Sequence, residues 1–450
     1  MTPAPTPSEP GPTDDATSPE AATRASSGPS DRLTVLIAGD TFPPDVNGAA
    51  NFTERLAVGL AQRGHDVHLM VPAASRHHGT FLEQHGGVTL TVHRLYSTRW
   101  PLHDWLRFAT PWRVQEHAEK IFDEIHPDVV HIQSHIVMGR GVAQVAERRG
   151  VRVVATNHFM PENLLEHTLL PKRIRPWASG LAWQAAARSF ARAEAVTSPT
   201  RKAADFLEKN TNIEHVIAIS CGINARDYTP DFTPRTENLI LFVGRITGEK
   251  QLDKLMRAFA TLDPALNAKL ELVGGGDQEN HLKQLASQLG VRDRVTITGY
   301  VEVEYLRHAL TRATVFAMPS IAELQSIATM EAMASGLPIV AANAMALPHL
   351  VHDGDNGFLF EPGNIEDLAA RLTEVLTMPE EDLQALKNES LKIVEAHDIE
   401  RTLDTFERLY RGETGVTDSV VERPLGKRAR LRQKLRSLTS GSSHSDEAVS

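Results

Sequence analysis

Among its 450 residues the sequence has a single cysteine, Cys221, so it can close no internal disulfide and offers no pair of thiolates to a metal. A reducing cytoplasm is the compartment that suits such usage. No apolar run reaches the roughly 18 residues that a membrane-spanning helix requires, so any membrane contact is expected to be peripheral. The N-terminus lacks the basic start and apolar centre of a secretory signal. Residues 1–31, rich in Pro, Ser, Thr and Ala, read as a disordered leader. Excess positive charge is missing too. The 47 Lys and Arg stand against 57 Asp and Glu, a net charge of -10, which argues against general nucleic-acid binding.

What is present is the composition of a globular enzyme, 41% hydrophobic and 23% charged, on a chain too long for one hydrophobic core. Short apolar runs alternate with helical patterns: "LTVLIAG" (33–39), "DVHLMVP" (66–72), "DVVHIQS" (128–134), "VRVVATN" (151–157), "AEAVTSP" (193–199) and "HVIAIS" (215–220). A second series follows in "NLILFVG" (238–244), "KLELVGGG" (269–276), "RVTITGY" (294–300), "ATVFAMPS" (313–320) and "LPIVAAN" (337–343). Buried strands alternating with helices indicate α/β architecture with parallel sheets. The simplest organisation is two Rossmann-like halves. An N-terminal domain spans 32–220 and a polar linker 221–238. A C-terminal domain spans 239–395, followed by a last helix over 396–411 and a basic tail over 412–450. Doubly wound sheets bind ligands beyond the carboxyl ends of their strands, so two facing sheets would hold substrates in the cleft between them.

The charge is unevenly spread. "RPLGKRARLRQKLRSL" (423–438) has seven basic residues and no acidic one, and as a helix it would place Leu431, Leu435 and Leu438 on one face. "EHTLLPKRIRPW" (166–177) mixes Leu169, Leu170, Ile174 and Trp177 with Lys172, Arg173 and Arg175. Both suit an anionic membrane surface. A solvated basic tail and an acceptor loop for a soluble sugar are the plainer alternatives.

Several residues stand out chemically. Glu331 lies in "SIATMEAMASG", a helix from about Ser326 to Ser335 ended by Gly336, flanked by Ile327, Ala328, Met330 and Ala332. A helix apolar all round is buried, and a carboxylate there needs a hydrogen-bonding partner or a ligand. Glu323 precedes that helix in a loop, where an ordinary surface or capping carboxylate is the simplest reading. If the whole segment were helical the two acids would stand about 12 Å apart, too far to share one bond. "GRITGEK" presents Arg245 and Lys250 after a strand, a turn suited to a pyrophosphate. Gly48 precedes a helix that could receive an anionic group, and His158 ends a buried strand in "TNHF". His131 and His135, four apart in "HIQSH", lack the glutamate of a zinc motif. "DGD" (353–355) reads as a turn in which Asn356 and Gly357 supply positive φ, with no metal. "VGGGD" falls short of the dinucleotide fingerprint, so no redox cofactor is expected.

Taken in order, "NGAANF", "TNHF", "GRITGEK", "VGGGDQENHLKQLASQLGVRDRVTITGYV", Glu323 and Glu331 as E-x7-E, "MASGLPIVAAN" and "DGDNGFLFEPGN" resemble the family 4 retaining glycosyltransferases of GT-B fold, over about residues 33–411. The resemblance implies two facing Rossmann-like domains, a nucleotide-sugar donor, no cofactor and no metal. It implies that Arg245 and Lys250 hold the donor diphosphate, that Gly48 presents its amide to the phosphate, and that Val301 lies near the nucleobase. Glu331 would bind the ribose, while Glu323 and His158 face the transferred sugar. The neighbouring Ser326 and Ile327 belong to the same donor site. His158, Glu323, Arg245 and Lys250 are the expected catalytic residues.

The overall style is similar to actinobacterial mannosyltransferases that build glycolipids, which implies GDP-mannose as donor, a glycolipid or lipid-linked acceptor, and a cytoplasmic enzyme at the inner face of the cell membrane. UDP-glucose as donor and a soluble saccharide as acceptor are the alternatives. A nucleotide-sugar 2-epimerase and a noncatalytic binding protein remain further readings. Two departures fall near the donor sugar: Gln325-Ser326 stands where the family often has Phe-Gly, and His349 in "AMALPHL" stands where an acid is frequent.

Overall fold

The computed structural model describes residues 32–45, 47–99, 107–160, 171 and 173–420. The leader 1–31, the basic stretch 423–438, and residues 166–170 and 172 of the amphipathic segment lie outside the described residues.

The first sheet contains β1 (Thr34–Ala38), β2 (Asp66–Pro72), β3 (Gly79–His85), β4 (Val88–Leu95), β7 (Val129–Ile132), β8 (Arg152–Thr156), β9 (Ala195–Ser198) and β10 (Ile217–Ala218), with a short separate pair β5 (Thr98–Arg99) and β6 (Arg107–Phe108). Its order is β10-β9-β8-β7-β1-β2-β4-β3, parallel except for β3 against β4. The second sheet, order β13-β12-β11-β14-β15-β16, is parallel throughout and comprises β11 (Leu239–Val243), β12 (Lys269–Val273), β13 (Val295–Gly299), β14 (Val315–Met318), β15 (Ile339–Ala342) and β16 (Gly357–Phe360). Both faces of these sheets are covered. Along β1, Val35 and Ile37 join one apolar cluster while Leu36 and Ala38 join the other. A strand buried on both sides cannot alternate apolar with polar, which is why these strands read as continuous apolar runs.

The sequence reading missed two pieces. The β3–β4 hairpin turns through Gly86 and Gly87, with φ of +52° and +81°, the conformation of a tight two-residue hairpin turn. Its outer strand is exposed, so it lacked the apolar run used to find the others. The stretch "GFLF" in "DGDNGFLF" is the edge strand β16, so the turn ends earlier than expected. Gly354 and Gly357 take positive φ, +87° and +157°, while Asn356 does not; Asn356 is buried, its Oδ1 accepting the His352 amide at 2.8 Å. The first nine residues of the expected tail, 412–420, are instead part of the ordered structure, which the sequence reading did not foresee. Asp418 Oδ1 accepts the Ala218 amide at 2.8 Å and Ser419 Oγ accepts the Ser220 amide at 2.9 Å, satisfying the otherwise open edge at β10.

The last helix, Ile399–Tyr410, packs on the first sheet's side of the molecule. Phe406 meets Phe52 of the helix Gly48–Gln62 with ring centroids 6.0 Å apart, and the Tyr410 hydroxyl bonds His131 Nδ1 at 2.7 Å. The linker is more than a solvated tether. Cys221 and Ile223 are buried, and Gly222, φ +63°, is pressed so close that a Cβ there would stand 2.7 Å from Thr402 Oγ1.

Candidate active site

In each sheet the chain departs to one side and later returns to the other, between β1 and β7 in the first and between β11 and β14 in the second. Those reversals leave a crevice at the strands' carboxyl ends. The lining of a cleft of about 390 Å³ follows from this: Gly39, Asp40 and Thr41 after β1, Gln133 and Ser134 after β7, Gly244 and Arg245 after β11, and Ala322 and Glu323 beyond β14. All nine predicted site residues, Gly48, His158, Arg245, Lys250, Val301, Glu323, Ser326, Ile327 and Glu331, line this same cleft. A wider, open depression of about 600 Å³ around Arg201, Asp205, Glu208 and His215 holds none of them, and its charges pair among themselves, Arg201 with Asp205 at 2.7 Å and with Glu208 at 3.0 Å.

On the second domain's side, the turn after β11 is braced by an acid absent from the sequence reading. Glu249 accepts the Thr247 hydroxyl at 2.7 Å and sits 3.4 Å from Arg245 Nη2. Burial alone would raise its carboxyl; the Thr247 hydroxyl and then the Arg245 charge outweigh that and hold it below the ordinary value. Its backbone carbonyl also accepts the Ile321 amide at 3.2 Å, tying this turn to the Glu323 loop. Lys250 donates to Glu323 Oε1. Glu323 is therefore a buried, paired acid and not the surface or capping carboxylate that its loop position suggested.

The helix Ile327–Ala334 starts where expected. Ser326 caps it, its Oγ accepting the Thr329 amide at 3.3 Å, and Ser335 follows its last turn. Glu331 projects from it toward Tyr228 of the linker, whose hydroxyl it accepts, and Arg55 of the helix Gly48–Gln62 lies 3.9 Å away. Burial pushes the Glu331 carboxyl up, with Arg55, the Tyr228 hydroxyl and Arg307 opposing it.

On the first domain's side, His158 Nε2 donates to Gln133 Oε1 at 2.8 Å and the ring packs on Phe52, centroids 4.9 Å apart. Burial lowers His158 to about 3, so the imidazole is neutral. Asn47 caps the helix that Gly48 begins; its Oδ1 accepts the Ala50 amide at 2.9 Å while its Nδ2 is buried without a hydrogen-bond partner. Asp40 accepts the Ser134 hydroxyl and the amides of Val137 and Met138.

Gln325 lines the cleft beside the inter-domain crossing. Its Oε1 accepts the Cys221 amide at 2.7 Å and its Nε2 donates to Ser220 Oγ at 3.1 Å. The departure from Phe-Gly thus joins the Glu323 loop to the inter-domain crossing. Elsewhere, His131 uses both ring nitrogens on Tyr410 and Thr156, each at 2.7 Å, and Asp353 accepts the Leu359 amide at 2.9 Å. Among the described residues no group of three or more His, Cys, Asp or Glu is arranged to hold a metal ion, and no helix is long and apolar enough to cross a membrane.

Asn47 was within reach of the sequence, since Asn immediately before a helix is a favoured cap. Arg55, Tyr228 and Glu249 carried no such signal.

Residues 46–227 match the family Glycosyltransferase Family 4, and residues 229–392 match Glycosyl transferases group 1. The chain is 36% identical over 141 residues to an uncharacterized glycosyltransferase of Methanocaldococcus jannaschii, covering 31% of this chain and 36% of that protein, so it spans about a third of that relative's length. It is 27% identical over 354 residues to the GDP-mannose-dependent alpha-mannosyltransferase of Mycolicibacterium smegmatis, covering 76% of this chain and 89% of the relative. The sucrose-phosphate synthase of Thermosynechococcus elongatus superposes with a TM-score of 0.70 at 20% identity, over 84% of this chain and 98% of that one. At that identity the likeness speaks for the fold, which is GT-B.

Proposed function

We propose that this chain, which carries a Glycosyltransferase Family 4 domain followed by a Glycosyl transferases group 1 domain in the GT-B fold, transfers a hexose from a nucleotide sugar to a hydroxyl acceptor with retention at the anomeric carbon. The observation that carries this reading is the convergence of Arg245, Lys250, Glu323 and Glu331 from one domain and Gly48 and His158 from the other on a single cleft.

Arg245 and Lys250 hold the donor diphosphate, with the Gly48 amide at the N-terminus of its helix as a third anchor. Glu331 takes the ribose hydroxyls and Val301 lies against the base. Ser326 and Ile327 shape the sugar end, which Glu323 and His158 contact. As the bond from the anomeric carbon to the phosphate oxygen breaks, negative charge builds on the diphosphate, where Arg245 and Lys250 stabilise it. The acceptor oxygen bonds the anomeric carbon from the same face, and its proton passes to the departing phosphate oxygen. That front-face route is favoured because Glu331 is given to the ribose and the other acids of the cleft are already engaged: Glu323 by Lys250, Glu249 by Thr247, and Asp40 by Ser134 and two amides. None is poised as a nucleophile. The reaction needs no metal in this scheme, because the two side-chain cations supply the positive charge.

GDP-mannose is the preferred donor, supported by the likeness to the mycobacterial GDP-mannose-dependent alpha-mannosyltransferase. A lipid-linked acceptor, with the enzyme bound peripherally to the inner face of the cell membrane, is supported by an exposed apolar stripe. Ile174, Trp177 and Leu181 are 42%, 67% and 44% exposed at i, i+3 and i+7, beside exposed Arg173.

The test incubates the protein with labelled GDP-mannose or UDP-glucose and anionic lipid extract, then follows label into the lipid phase. Mannose label there is the expected result, weakened by Trp177→Ser. Label in a soluble saccharide moves the acceptor to that class, and label in neither, with nucleoside-diphosphate binding intact, sinks the lipid reading.

A further inference from the structure

The helix Gly48–Gln62 reaches across the cleft with more than its first turn. Gly48 faces Ile327, a Cβ built on the glycine standing 3.8 Å from Ile327 Cδ1. Two turns later, Arg55 is placed against both the inter-domain crossing and the second domain. Its Nη1 donates to the carbonyl of Gly222 in the inter-domain crossing, and its Nη2 lies 3.9 Å from Glu331 Oε1 in the second domain. Gly222 is fixed in turn by its positive φ and by its contact with Thr402 and Ile399 of the last helix.

We propose that Arg55 is a positioning residue for the donor: anchored on the Gly222 carbonyl, it holds the Glu331 carboxylate from the opposite domain in the ionised state and orientation that grips the ribose. This rests on the reading that Glu331 binds the ribose. A buried acid keeps its charge only when hydrogen bonds and opposite charge replace water. The groups facing Glu331 are Arg55 from the first domain, Tyr228 from the linker and Arg307 from the helix Val303–Arg312. Arg307 is partly committed elsewhere, 3.6 Å from Asp227 and over the Tyr228 ring at 5.9 Å. Tyr228 supplies a hydrogen bond without a charge. Arg55 is thus the largest counterweight to burial. Its removal leaves Glu331 to take up a proton at higher pH, and a neutral acid accepts ribose hydroxyls poorly. Because the guanidinium also grips Gly222, the ribose site is complete only when the first helix sits against the crossing.

The experiment measures binding of GDP, 2′-deoxy-GDP and inorganic pyrophosphate by calorimetry between pH 5.5 and 8.5, for wild type, Arg55→Ala, Arg55→Lys and Glu331→Gln. Thermal melts of each variant verify that it is folded. Arg55→Ala is expected to weaken GDP about tenfold at pH 7, to move the acid limb of GDP binding to higher pH, and to leave pyrophosphate unchanged. Arg55→Lys restores part of the loss and part of the limb. Unchanged or tighter GDP binding by folded Arg55→Ala overturns the proposal, as does an equal loss of GDP and pyrophosphate. Glu331→Gln separates the two levels: it should abolish the preference for GDP over 2′-deoxy-GDP. If it leaves that preference intact, the ribose reading fails and the role of Arg55 with it; if it abolishes the preference while Arg55→Ala changes nothing, only the role of Arg55 fails.

Discussion

Lys250 and Glu323, 73 residues apart in the chain, hold each other at the cleft through an ammonium-carboxylate hydrogen bond, with both side chains largely buried. The pair joins the turn after β11 to the loop after β14, so a residue assigned to the diphosphate and one assigned to the sugar form one unit.

Lys250→Met removes the charge that stabilises the leaving diphosphate and strands Glu323 in a buried setting. Turnover, followed by release of nucleoside diphosphate, should fall by about 100- to 1000-fold. The double variant Lys250→Met, Glu323→Gln should recover thermal stability without recovering turnover. A double variant as active as wild type would remove both residues from the chemistry.

His158 contributes as a neutral group. Gln133 Oε1 can only accept, so the imidazole carries its proton on Nε2, and burial keeps it unprotonated on the second nitrogen down to about pH 3. His158→Ala should lower kcat while leaving the shape of the pH–rate profile between pH 5 and 8 unaltered. A limb near pH 6 that disappears in this variant would contradict the assignment.

Glu331 should cost the fold some stability. Its pKa is raised by burial, so the folded protein holds the proton more tightly than the unfolded chain, and stability declines as pH climbs past the unfolded value of about 4.3. Glu331→Gln should therefore raise Tm at pH 8, with the gain vanishing below about pH 4, and at the same time impair donor binding. Calorimetric melts at the two pH values decide it. A lower Tm at pH 8 would mean that Arg55 and Tyr228 overcompensate the burial.

Glu407 on the last helix has the opposite sign. Burial alone would raise it, but hydrogen bonds from His65 at 3.3 Å and Arg63 at 3.1 Å, with Arg411 at 3.2 Å, bring it down to about 2. Its contribution is complete above the unfolded value of about 4.3 and is lost as pH falls toward 2. Glu407→Gln should cost about 1–2 kcal/mol at pH 7 in urea unfolding and nothing near pH 2. Equal losses at both pH values would assign the effect to packing.

Gln325→Ala leaves the Cys221 amide without its side-chain acceptor. A loss of about 1–3 kcal/mol in urea unfolding is expected, with the donor sugar preference unchanged, because the side chain faces the crossing. An altered preference between GDP-mannose and UDP-glucose would place Gln325 at the sugar after all.

Much of this was legible because buried parallel strands announce themselves as apolar runs and because Glu331 sat in a helix with no polar face. The strand ends then located the cleft. The β3–β4 hairpin escaped because its outer strand has exposed side chains, and β16 because four apolar residues behind a turn look like part of the turn. The partners of the acids were harder for a different reason. Lys250 was singled out for its place in a basic turn, but nothing local tied it to Glu323. Arg55 lies 276 positions before Glu331, and Tyr228 was hidden in a linker read only for its lack of periodicity. Gln325 was singled out as a departure from the family pattern, yet its direction depends on the fold of the chain near Ser220.

The crossing at Gly222 has a topological consequence. Ile223 pairs with Asp398 across a parallel bridge: the Ile223 amide donates to the His397 carbonyl at 2.9 Å and the Ile399 amide to the Ile223 carbonyl at 3.0 Å. The chain therefore enters and leaves its second half through one doorway, two strands wide. Residues 224–397 are an insert whose ends are already stitched together, so opening and closing of the cleft must twist both strands of one short ribbon at once, and a cut-and-rejoin of the chain there would leave each half with its own sheet intact.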